Sequence, residues 1–303
     1  GWNENLNRSL GEYIRKVLPN ALIVAGGPNI DPDPDRRLAF FKRHQYLDFL
    51  VIDGGEEPFS ELITWWREGS NDFDQLPQNI VWRDGEKIIA SGERPLKKMI
   101  ENIPSPYLSG YLDEFLEAGM IPMFESNRGC PYLCTFCAWG SAAKNKVSKF
   151  ELDTTLEEVD YVGQRTQAKN WIFCDANFGI LPRDIEIAKA IRRVRNTTGY
   201  PHKCHIWLAK NVTERNIEIG EILGDMIIVF MSVQSLNEQV LENIKRSNIS
   251  LDTYVEYHNK FRNIGSDTFS ELIIPMGGET KGSHEDALRK LFDIGVDIIY
   301  NHN

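Results

Sequence analysis

Six short apolar segments separated by helical patterns constrain the fold of this 303-residue chain more than any other feature. From about residue 119 they read IPMFES, WIFCDA, CHIWLA, MIIVFMSV, FSELIIP and DIIYN, with stretches such as RDIEIAKAIRRVRN and LDTYVEYHNKFRNI between them. Strands that alternate with helices are typical of a parallel sheet, and six repeats predict a parallel barrel or part of one. We therefore expect residues 119–303 to form a partial (β/α)6, TIM-like barrel that stops at its sixth strand.

The first 69 residues also alternate between helix and strand. LNRSLGEYIRKVL and FSELITWWREG are helical patterns, whereas NALIVAGGP and YLDFLVIDGGEEP are apolar strands that end in glycine turns. The turn residues are Gly26, Gly27 and Pro28 after the first strand, and Gly54 and Gly55 after the second. This order predicts a doubly wound, Rossmann-like α/β sheet. Ligands of such sheets bind beyond the carboxyl ends of the strands, where both turns lie.

Between residues 70 and 118 the alternation stops. VWRDGEKIIAS predicts a hairpin around Asp84 and Gly85, and the proline- and glycine-containing stretch ENIPSPYLSGYLDEF predicts a linker with one short helix. We expect three parts: the C-terminal half of a Rossmann-like domain (1–69), a linker (70–118) and the barrel (119–303). Because the chain starts without methionine and stops at a strand, we expect it to be a piece of a longer protein.

Charge and hydropathy narrow the classes of partner. The formal net charge of −10 argues against non-specific binding to nucleic acid, which needs an excess of lysine and arginine. No apolar run approaches the roughly 20 residues that span a bilayer, and the first residues show no signal-peptide pattern. We expect no membrane partner and a cytoplasmic location, where thiols stay reduced and clustered cysteines indicate metal binding or catalysis.

Three of the five cysteines lie just after the first barrel strand, in NRGCPYLCTFCAWG. Cys130, Cys134 and Cys137 have the spacing C-x3-C-x2-C. A zinc site usually has a second cysteine pair or histidines, which are missing here, and inert thiols in a loop would be prone to oxidation. An iron–sulfur cubane fits better; it normally takes four thiolates, so three would leave one iron open. Cys174 and Cys204 lie in predicted strands and are expected to be packed core thiols.

The cysteine motif, with Phe136 directly before its last cysteine, resembles the radical S-adenosylmethionine (SAM) superfamily. The resemblance implies that the amino and carboxylate groups of SAM chelate the open iron of a [4Fe–4S] cluster. It further implies that the reduced cluster cleaves SAM to a 5′-deoxyadenosyl radical, and it places Phe136 among the SAM-binding residues. The missing fourth ligand would then be the co-substrate.

Two further segments resemble the same family. CDANFGILPRD is similar to the second-strand segment that handles the SAM amino group, although the glycine-glycine-glutamate version is absent. It implies Asp175 and Asn177 as SAM-binding residues. SVQSLNEQVLENIKRSN is similar to the fourth-strand segment, which implies that Gln234 and Ser235 face the ribose.

Two charged residues complete the expected SAM site. The resemblance implies that Arg246 pairs with the SAM carboxylate, and a guanidinium suits that role because it donates two parallel hydrogen bonds. The alternative is a solvated arginine at a helix end. Glu271 lies within an apolar strand, where a charge needs a partner. Its alternative is a solvent-facing position on the strand.

The order of segments before the cysteines, from ALIVAGGPNI through DFLVIDGGEEPFSELI to IPSPYLSGYLDEFL, resembles the cobalamin-binding class of radical SAM proteins. It implies that Gly26, Gly27, Pro28, Gly54 and Gly55 contact cobalamin. Glycine suits a close approach of the backbone because it has no Cβ atom. A turn in another nucleotide-binding sheet, or a turn without a ligand, is the alternative.

Three functions compete. The first is cobalamin-dependent radical methyl transfer to an unactivated carbon of a small-molecule substrate, with electrons from a donor such as flavodoxin or ferredoxin. The second is a cobalamin-binding radical SAM oxidation, rearrangement or ring contraction without methyl transfer. The third is a metal or electron-transfer protein that makes no radical. A ferredoxin-type cluster would want a fourth nearby cysteine, which the sequence lacks.

Overall fold

The computed structural model of the chain describes residues 3–27, 30–31, 33–70, 72–85, 87–95, 99–100, 103–137, 139, 146–208, 211 and 213–303. The chain divides into two compact units, Gly1–Leu96 and Lys97–Asn303. Within the described ranges, no helix is both long and apolar enough to cross a membrane.

The first unit is a four-stranded sheet with helices. Its helices are α1 (Glu4–Val17), α2 (Pro34–Arg43) and α3 (Glu56–Arg67). Its strands are β1 (Val24–Ala25), β2 (Phe49–Val51), β3 (Ile80–Asp84) and β4 (Lys87–Ala90). The strands pair in this order; β1 and β2 are parallel, whereas β3 and β4 form an antiparallel hairpin on β2.

Both faces of this sheet are covered by apolar side chains. Phe41 of α2 packs in one buried cluster with Leu50, and Leu62 of α3 packs in another with Phe49. Successive residues of a strand point to opposite faces. The helices α2 and α3 therefore cover opposite faces of the sheet.

The hairpin predicted around Asp84 and Gly85 is confirmed, but the predicted boundary after residue 69 differs from the structure. The hairpin belongs to the first sheet, where Leu50 of β2 pairs with Val81 of β3, and the first unit ends at Leu96. The remainder of the predicted linker falls in the second unit. The alternation of strand and helix ends at residue 69 because β3 and β4 are antiparallel to their neighbours, and antiparallel strands need no crossover helix.

The second unit contains the other seven helices and eight strands of the described residues. The helices are α4 (Asp113–Glu117), α5 (Leu152–Gly163), α6 (Asp184–Thr198), α7 (Glu214–Leu223), α8 (Glu238–Asn243), α9 (Leu251–Asn263) and α10 (Lys281–Ile294). The strands are β5 (Met123–Phe124), β6 (Asn127–Arg128), β7 (Ser148–Lys149), β8 (Asn170–Phe178), β9 (Lys203–Leu208), β10 (Val229–Phe230), β11 (Thr268–Ile273) and β12 (Ile298–His302).

Each of the six predicted apolar segments contains a strand, and these strands pair in parallel with their neighbours in sequence. The order is β5-β8-β9 in one sheet and β10-β11-β12 in another. An isolated parallel bridge between Cys204 and Ile227 connects β9 to the segment that leads into β10. Trp171 and Phe173 of β8 are fully buried in the main apolar core, as is Ile187 of α6.

A bulge interrupts the pairing of β8 with β9. Phe173 pairs with Ile206 and Phe178 with Leu208, so five steps along β8 correspond to two steps along β9. The extra residues include Asp175 and Asn177. Bulges change the direction in which side chains point, and here the strand extends beyond the predicted segment WIFCDA.

Two short antiparallel strands that we did not predict lie on either side of the cysteines, β6 before them and β7 after them. Asn127 of β6 pairs with Lys149 of β7, and Arg128 with Ser148. The side chain of Arg183, which lies just before α6, donates a hydrogen bond to the carbonyl oxygen of Ser126 at 2.8 Å. Arg183 also bonds to the carbonyl oxygen of Phe150. Two kinds of contact therefore hold together the chain segments on either side of the cysteines: the pairing of β6 with β7 and the hydrogen bonds donated by Arg183.

Candidate functional site

The three cysteines lie in one loop, residues 129–137, which we call the cysteine loop. Gly129 opens it with a φ of +94°, a conformation that favours glycine. Cys130 and Cys134 are buried and Cys137 is half-buried. The amide of Cys137 donates to the carbonyl oxygen of Cys134 at 3.1 Å, and that of Thr135 donates to Ile244, just after α8, at 3.0 Å. The loop is thus hydrogen-bonded to a segment that lies more than 100 positions further along the chain.

The donor chemistry of the cysteine loop fits an iron–sulfur cluster. Cys130, Cys134 and Cys137 supply three thiols in one short stretch, and thiolates are the ligands of iron–sulfur clusters. Among the residues described above, no three histidine, cysteine, aspartate or glutamate side chains converge closely enough to hold a metal ion. Ligation by the three cysteines therefore stays a prediction.

Asn177 contacts the first cysteine directly. Its Nδ2 atom lies 3.0 Å from Sγ of Cys130, and each of the two residues is only 1% exposed. The Oδ1 atom of Asn177 is buried and has no hydrogen-bond partner within the described part of the chain. The predicted site residue Asn177 therefore lies at the cysteine loop and has an acceptor to spare.

Arg246 lies close to the second cysteine. Its Nε atom donates to Oδ1 of Asn248 at 2.7 Å, and Nη2 bonds to the carbonyl oxygen of Ser232. Burial lowers the pKa of the guanidinium, an effect that the neighbouring Cys134 opposes. Nη1 is buried and has no hydrogen-bond partner among the residues described. The solvated alternative for Arg246 is wrong, since the residue is 6% exposed.

Asp175 holds β8 to the residues that precede the cysteine loop. Its carboxylate accepts hydrogen bonds from the backbone amides of Ser126 at 2.7 Å and Asn127 at 3.0 Å. The hydroxyl group of Ser126 and Nδ2 of Asn127 donate to the same carboxylate. Burial raises the pKa of Asp175 to about 6, although these hydrogen bonds act in the opposite direction. The expected contact of Asp175 with SAM stays a prediction, whereas its contact with the chain beside the cysteines is direct.

Gln234 and Glu271 lie on adjacent segments and share a network. Gln234 has a φ of +65°, which is uncommon for a residue other than glycine. The backbone amide of Gln234 donates to the backbone carbonyl oxygen of Glu271 at 2.8 Å. The Glu271 carboxylate accepts from the hydroxyl of Ser232 at 2.7 Å and lies 3.1 Å from Nε2 of His302. Glu271 thus has polar partners on both neighbouring segments, rather than the simple solvent-facing position of its alternative.

Ser235 is buried, and its hydroxyl group has a carboxylate partner. It donates to Oε2 of Glu279 at 2.6 Å and accepts from the amide of Asn237 at 3.1 Å. The predicted contact of Ser235 with ribose stays a prediction. Sequence reasoning missed Glu279, although it lies eight positions after Glu271 and ends the segment SELIIPMGGE.

The remaining thiols behave differently from each other. Cys204 is buried, as expected, and burial raises its pKa to about 12. Cys174 is exposed, so the expectation that it is a packed core thiol is wrong. It lies between the buried residues Phe173 and Asp175, and alternation along the strand directs it to the opposite side. Phe136, beside Cys137, is 38% exposed.

The glycine turns of the first unit follow two paired strands. Gly27, after β1, has a φ of +93° and open space where a Cβ atom would lie. A Cβ atom on Gly26 would lie 3.1 Å from the carbonyl oxygen of Val51. Gly54 and Gly55 have no positive φ and follow β2 directly before α3. The two turns lie at the same edge of the sheet, because β1 and β2 are parallel neighbours. Pro28 lies outside the described residues.

These exposed glycines fit the approach of a bulky cofactor, since Gly26, Gly27 and Gly54 present backbone without side chains of their own. Gly27 is the position at which the backbone conformation itself requires glycine. Contact of these residues with cobalamin stays a prediction.

Comparison with known proteins identifies relatives over almost the whole chain. It is 35% identical to the "Cobalamin-dependent radical SAM methyltransferase TokK" of Streptomyces tokunonensis, covering 97% of this chain and 44% of the relative. It is 34% identical to the "2-(S-pantetheinyl)-carbapenam-3-carboxylate methyltransferase" of Streptantibioticus cattleyicolor, with the same coverage. The chain thus spans less than half the length of these curated relatives.

The fold has a solved counterpart in TsrM of Kitasatospora setae, a radical S-adenosylmethionine methyltransferase whose structure contains tryptophan substrate and a SAM analogue. The TM-score is 0.77 at 15% identity, over 97% of this chain and 57% of the TsrM chain. At this identity the likeness concerns the fold alone. Residues 124–291, more than half of the chain, match the radical SAM superfamily. The chain therefore belongs to the radical SAM superfamily.

Proposed function

We propose that the chain is the cofactor-binding part of a cobalamin-dependent radical SAM methyltransferase. In this proposal Cys130, Cys134 and Cys137 hold a [4Fe–4S] cluster, and SAM takes the remaining iron. When bound, the cofactors supply reductive cleavage of SAM to a 5′-deoxyadenosyl radical, which removes hydrogen from an unactivated carbon, and methyl transfer through cobalamin. The chain's own residues orient these groups and keep water away from them.

One observation carries the proposal. One of the three thiols in the cysteine loop has a buried hydrogen-bond donor at 3.0 Å, Nδ2 of Asn177 at Cys130. Cys134 has the buried Arg246 as an electrostatic neighbour, since it opposes the effect by which burial lowers the pKa of that guanidinium. Packed core thiols need no such donors, whereas thiolates that ligate a metal are usually supported by hydrogen bonds from a surrounding shell. The two curated methyltransferases cover 97% of the chain and support the same function.

The fold-level part of the proposal concerns both units. We assign the six sequential parallel strands β5, β8, β9, β10, β11 and β12 to part of a TIM-like barrel. We assign the first unit to the C-terminal half of a doubly wound cobalamin-binding domain. The parallel pairing of strands that are neighbours in sequence supports the first assignment. The two helix-covered faces of the first sheet support the second.

Three buried polar atoms are available to SAM. Oδ1 of Asn177, Oε1 of Gln234 and Nη1 of Arg246 have no hydrogen-bond partners within the described ranges. A buried polar atom without a partner costs free energy, so a ligand that supplies one is favoured. The two oxygens suit the SAM amino and ribose groups, and the guanidinium suits its carboxylate.

The proposed reaction also implies partners outside the chain. They are a small-molecule substrate and an electron donor such as flavodoxin or ferredoxin. We also propose a cytoplasmic location, because the three thiols must stay reduced to hold the cluster and the cytosol keeps thiols reduced.

The products of the full-length protein test the function. After anaerobic reconstitution with iron, sulfide and cobalamin, we expect about four irons per chain. We also expect SAM to be converted to both 5′-deoxyadenosine and S-adenosylhomocysteine when substrate is present. Deoxyadenosine without S-adenosylhomocysteine would favour oxidation, rearrangement or ring contraction, and a colourless zinc protein would contradict radical chemistry altogether.

Cobalamin binding is tested at Gly27. In the full-length protein, Gly27→Leu should weaken cobalamin binding at least about tenfold, because the side chain occupies the space beside an exposed backbone turn. Gly69→Leu is the matched control: Gly69 also has a positive φ and open space, but it follows α3 rather than a strand. Cobalamin titration monitored by absorbance measures both. Equal affinities for the two variants would remove the β1 turn from the cobalamin site.

A further inference from the structure

We infer that Asn177 sets the reduction potential of the cluster through its hydrogen bond to the sulfur of Cys130. The inference rests on the proposed function, because it needs a cluster on the cysteine loop. It assigns to Asn177 a role on a protein ligand of the cluster, in addition to any contact with SAM.

The geometry of Asn177 is specific. The Nδ2–Sγ distance is 3.0 Å, and both residues are almost fully buried. The bulge between Phe173 and Phe178 removes this part of β8 from regular pairing with β9. Two residues earlier, Asp175 holds the same stretch to Ser126 and Asn127. The buried hydrogen bonds of Asp175 therefore keep the backbone that carries Asn177 next to the cysteine loop.

The orientation of the amide group follows from chemistry. A thiolate accepts hydrogen bonds and has no proton to donate, so the NH2 end of Asn177 must face Cys130. Oδ1 then points elsewhere and remains able to accept a hydrogen bond from another group. One amide thus has two functions. The substitutions below remove both its donor and its acceptor, so the test is carried out without SAM and reports on the donor alone.

The direction of the effect follows from charge. One-electron reduction of the cluster, with the electron taken from an external reductant, adds negative charge that is shared with the ligand sulfurs. A hydrogen-bond donor on one of these sulfurs stabilises the reduced form more than the oxidised form, and hydrogen bonds to sulfur are known to set cluster potentials. Burial strengthens this effect, because water does not screen it. Removing the donor should make the cluster harder to reduce.

The test uses Asn177→Leu in the full-length protein, reconstituted anaerobically without SAM. Leucine resembles asparagine in shape but donates no hydrogen bond. A potentiometric titration followed by electron paramagnetic resonance of the reduced cluster measures the midpoint potential. We expect full iron content and a more negative midpoint, with the equilibrium constant for reduction lowered on the order of tenfold. For a one-electron couple this is about 59 mV.

Asn216→Leu is the matched control. Asn216 is also fully buried and takes part in the capping box of α7. Its loss should leave the midpoint unchanged, because its bonds are to Thr213 and Phe178 rather than to sulfur. Asn177→Val provides a smaller side chain in case leucine is too large for the site.

Two results would overturn the inference. One is an unchanged midpoint in an Asn177 variant that carries its full complement of iron. The other is loss of the cluster in both Asn177 variants but not in Asn216→Leu, because Asn177 would then serve assembly rather than potential. Failure of the wild-type protein to bind iron would instead contradict the proposed function, so the two failures are distinct.

Discussion

Replacing Cys134 with alanine should abolish the cluster and all cleavage of SAM. Cys134 is the middle cysteine of the loop, and two thiolates are too few to keep a cubane that already lacks a fourth protein ligand. The expected iron content of the reconstituted variant is near zero, and 5′-deoxyadenosine should fall to background. Iron analysis, the visible spectrum and chromatography of the SAM products measure these three outcomes.

Cys174→Ala is the control for the loss of a thiol as such. Cys174 is exposed and lies on β8 outside the cysteine loop, so this variant should keep its iron and its colour. If Cys134→Ala retained four irons per chain and cleaved SAM normally, the assignment of the cluster to this loop would be wrong.

Asp175→Asn should weaken iron retention without touching any cysteine. The aspartate accepts four hydrogen bonds from Ser126 and Asn127, and an asparagine would turn its NH2 group toward two of these donors. Buried donors left without an acceptor cost about 1–3 kcal/mol each. Because the residues freed lie directly before the cysteine loop, a chelator should remove iron roughly 10- to 100-fold more readily. The rate of iron transfer to a coloured chelator measures the effect.

Asp184→Asn separates this effect from general loss of stability. Asp184 is also buried, with a pKa that burial raises to about 6, and it accepts from the amides of Gly179 and Leu181. Its substitution should lower the melting temperature while iron retention stays close to that of the wild type. Equal iron loss in both variants would indicate that Asp175 acts only through overall stability.

The strands were predictable because each is marked by a pattern in its own local sequence. All six barrel segments are apolar runs bounded by turn residues, and each contains a strand in the structure. The pair formed by β6 and β7 was missed because it has only two residues on each side, which is too short for any periodic pattern. The hairpin at Asp84 was found, but its membership in the first sheet depends on pairing between Leu50 and Val81, 31 positions apart.

The candidate site was predictable by residue type and less so by contact. The spacing of Cys130, Cys134 and Cys137 can be read directly from the sequence. That Asp175 binds Ser126 and Asn127 could not be read there, because the partners are 49 and 48 positions away and Asp175 lies in the bulge of β8. Cys174 was misjudged because an apolar run gives no sign of which face of its strand is open.

The sequential pairing of the parallel strands also determines when the cysteines become covered during synthesis. Domains form from the N-terminus as the chain emerges, and contacts between neighbours in sequence form fastest. The cysteine loop emerges soon after β5, before β8 brings Asn177 to Cys130 and long before Arg246 arrives beside Cys134. The thiols are thus synthesised ahead of Asn177 and Arg246, so that during synthesis the loop exists before these two buried neighbours of Cys130 and Cys134 do.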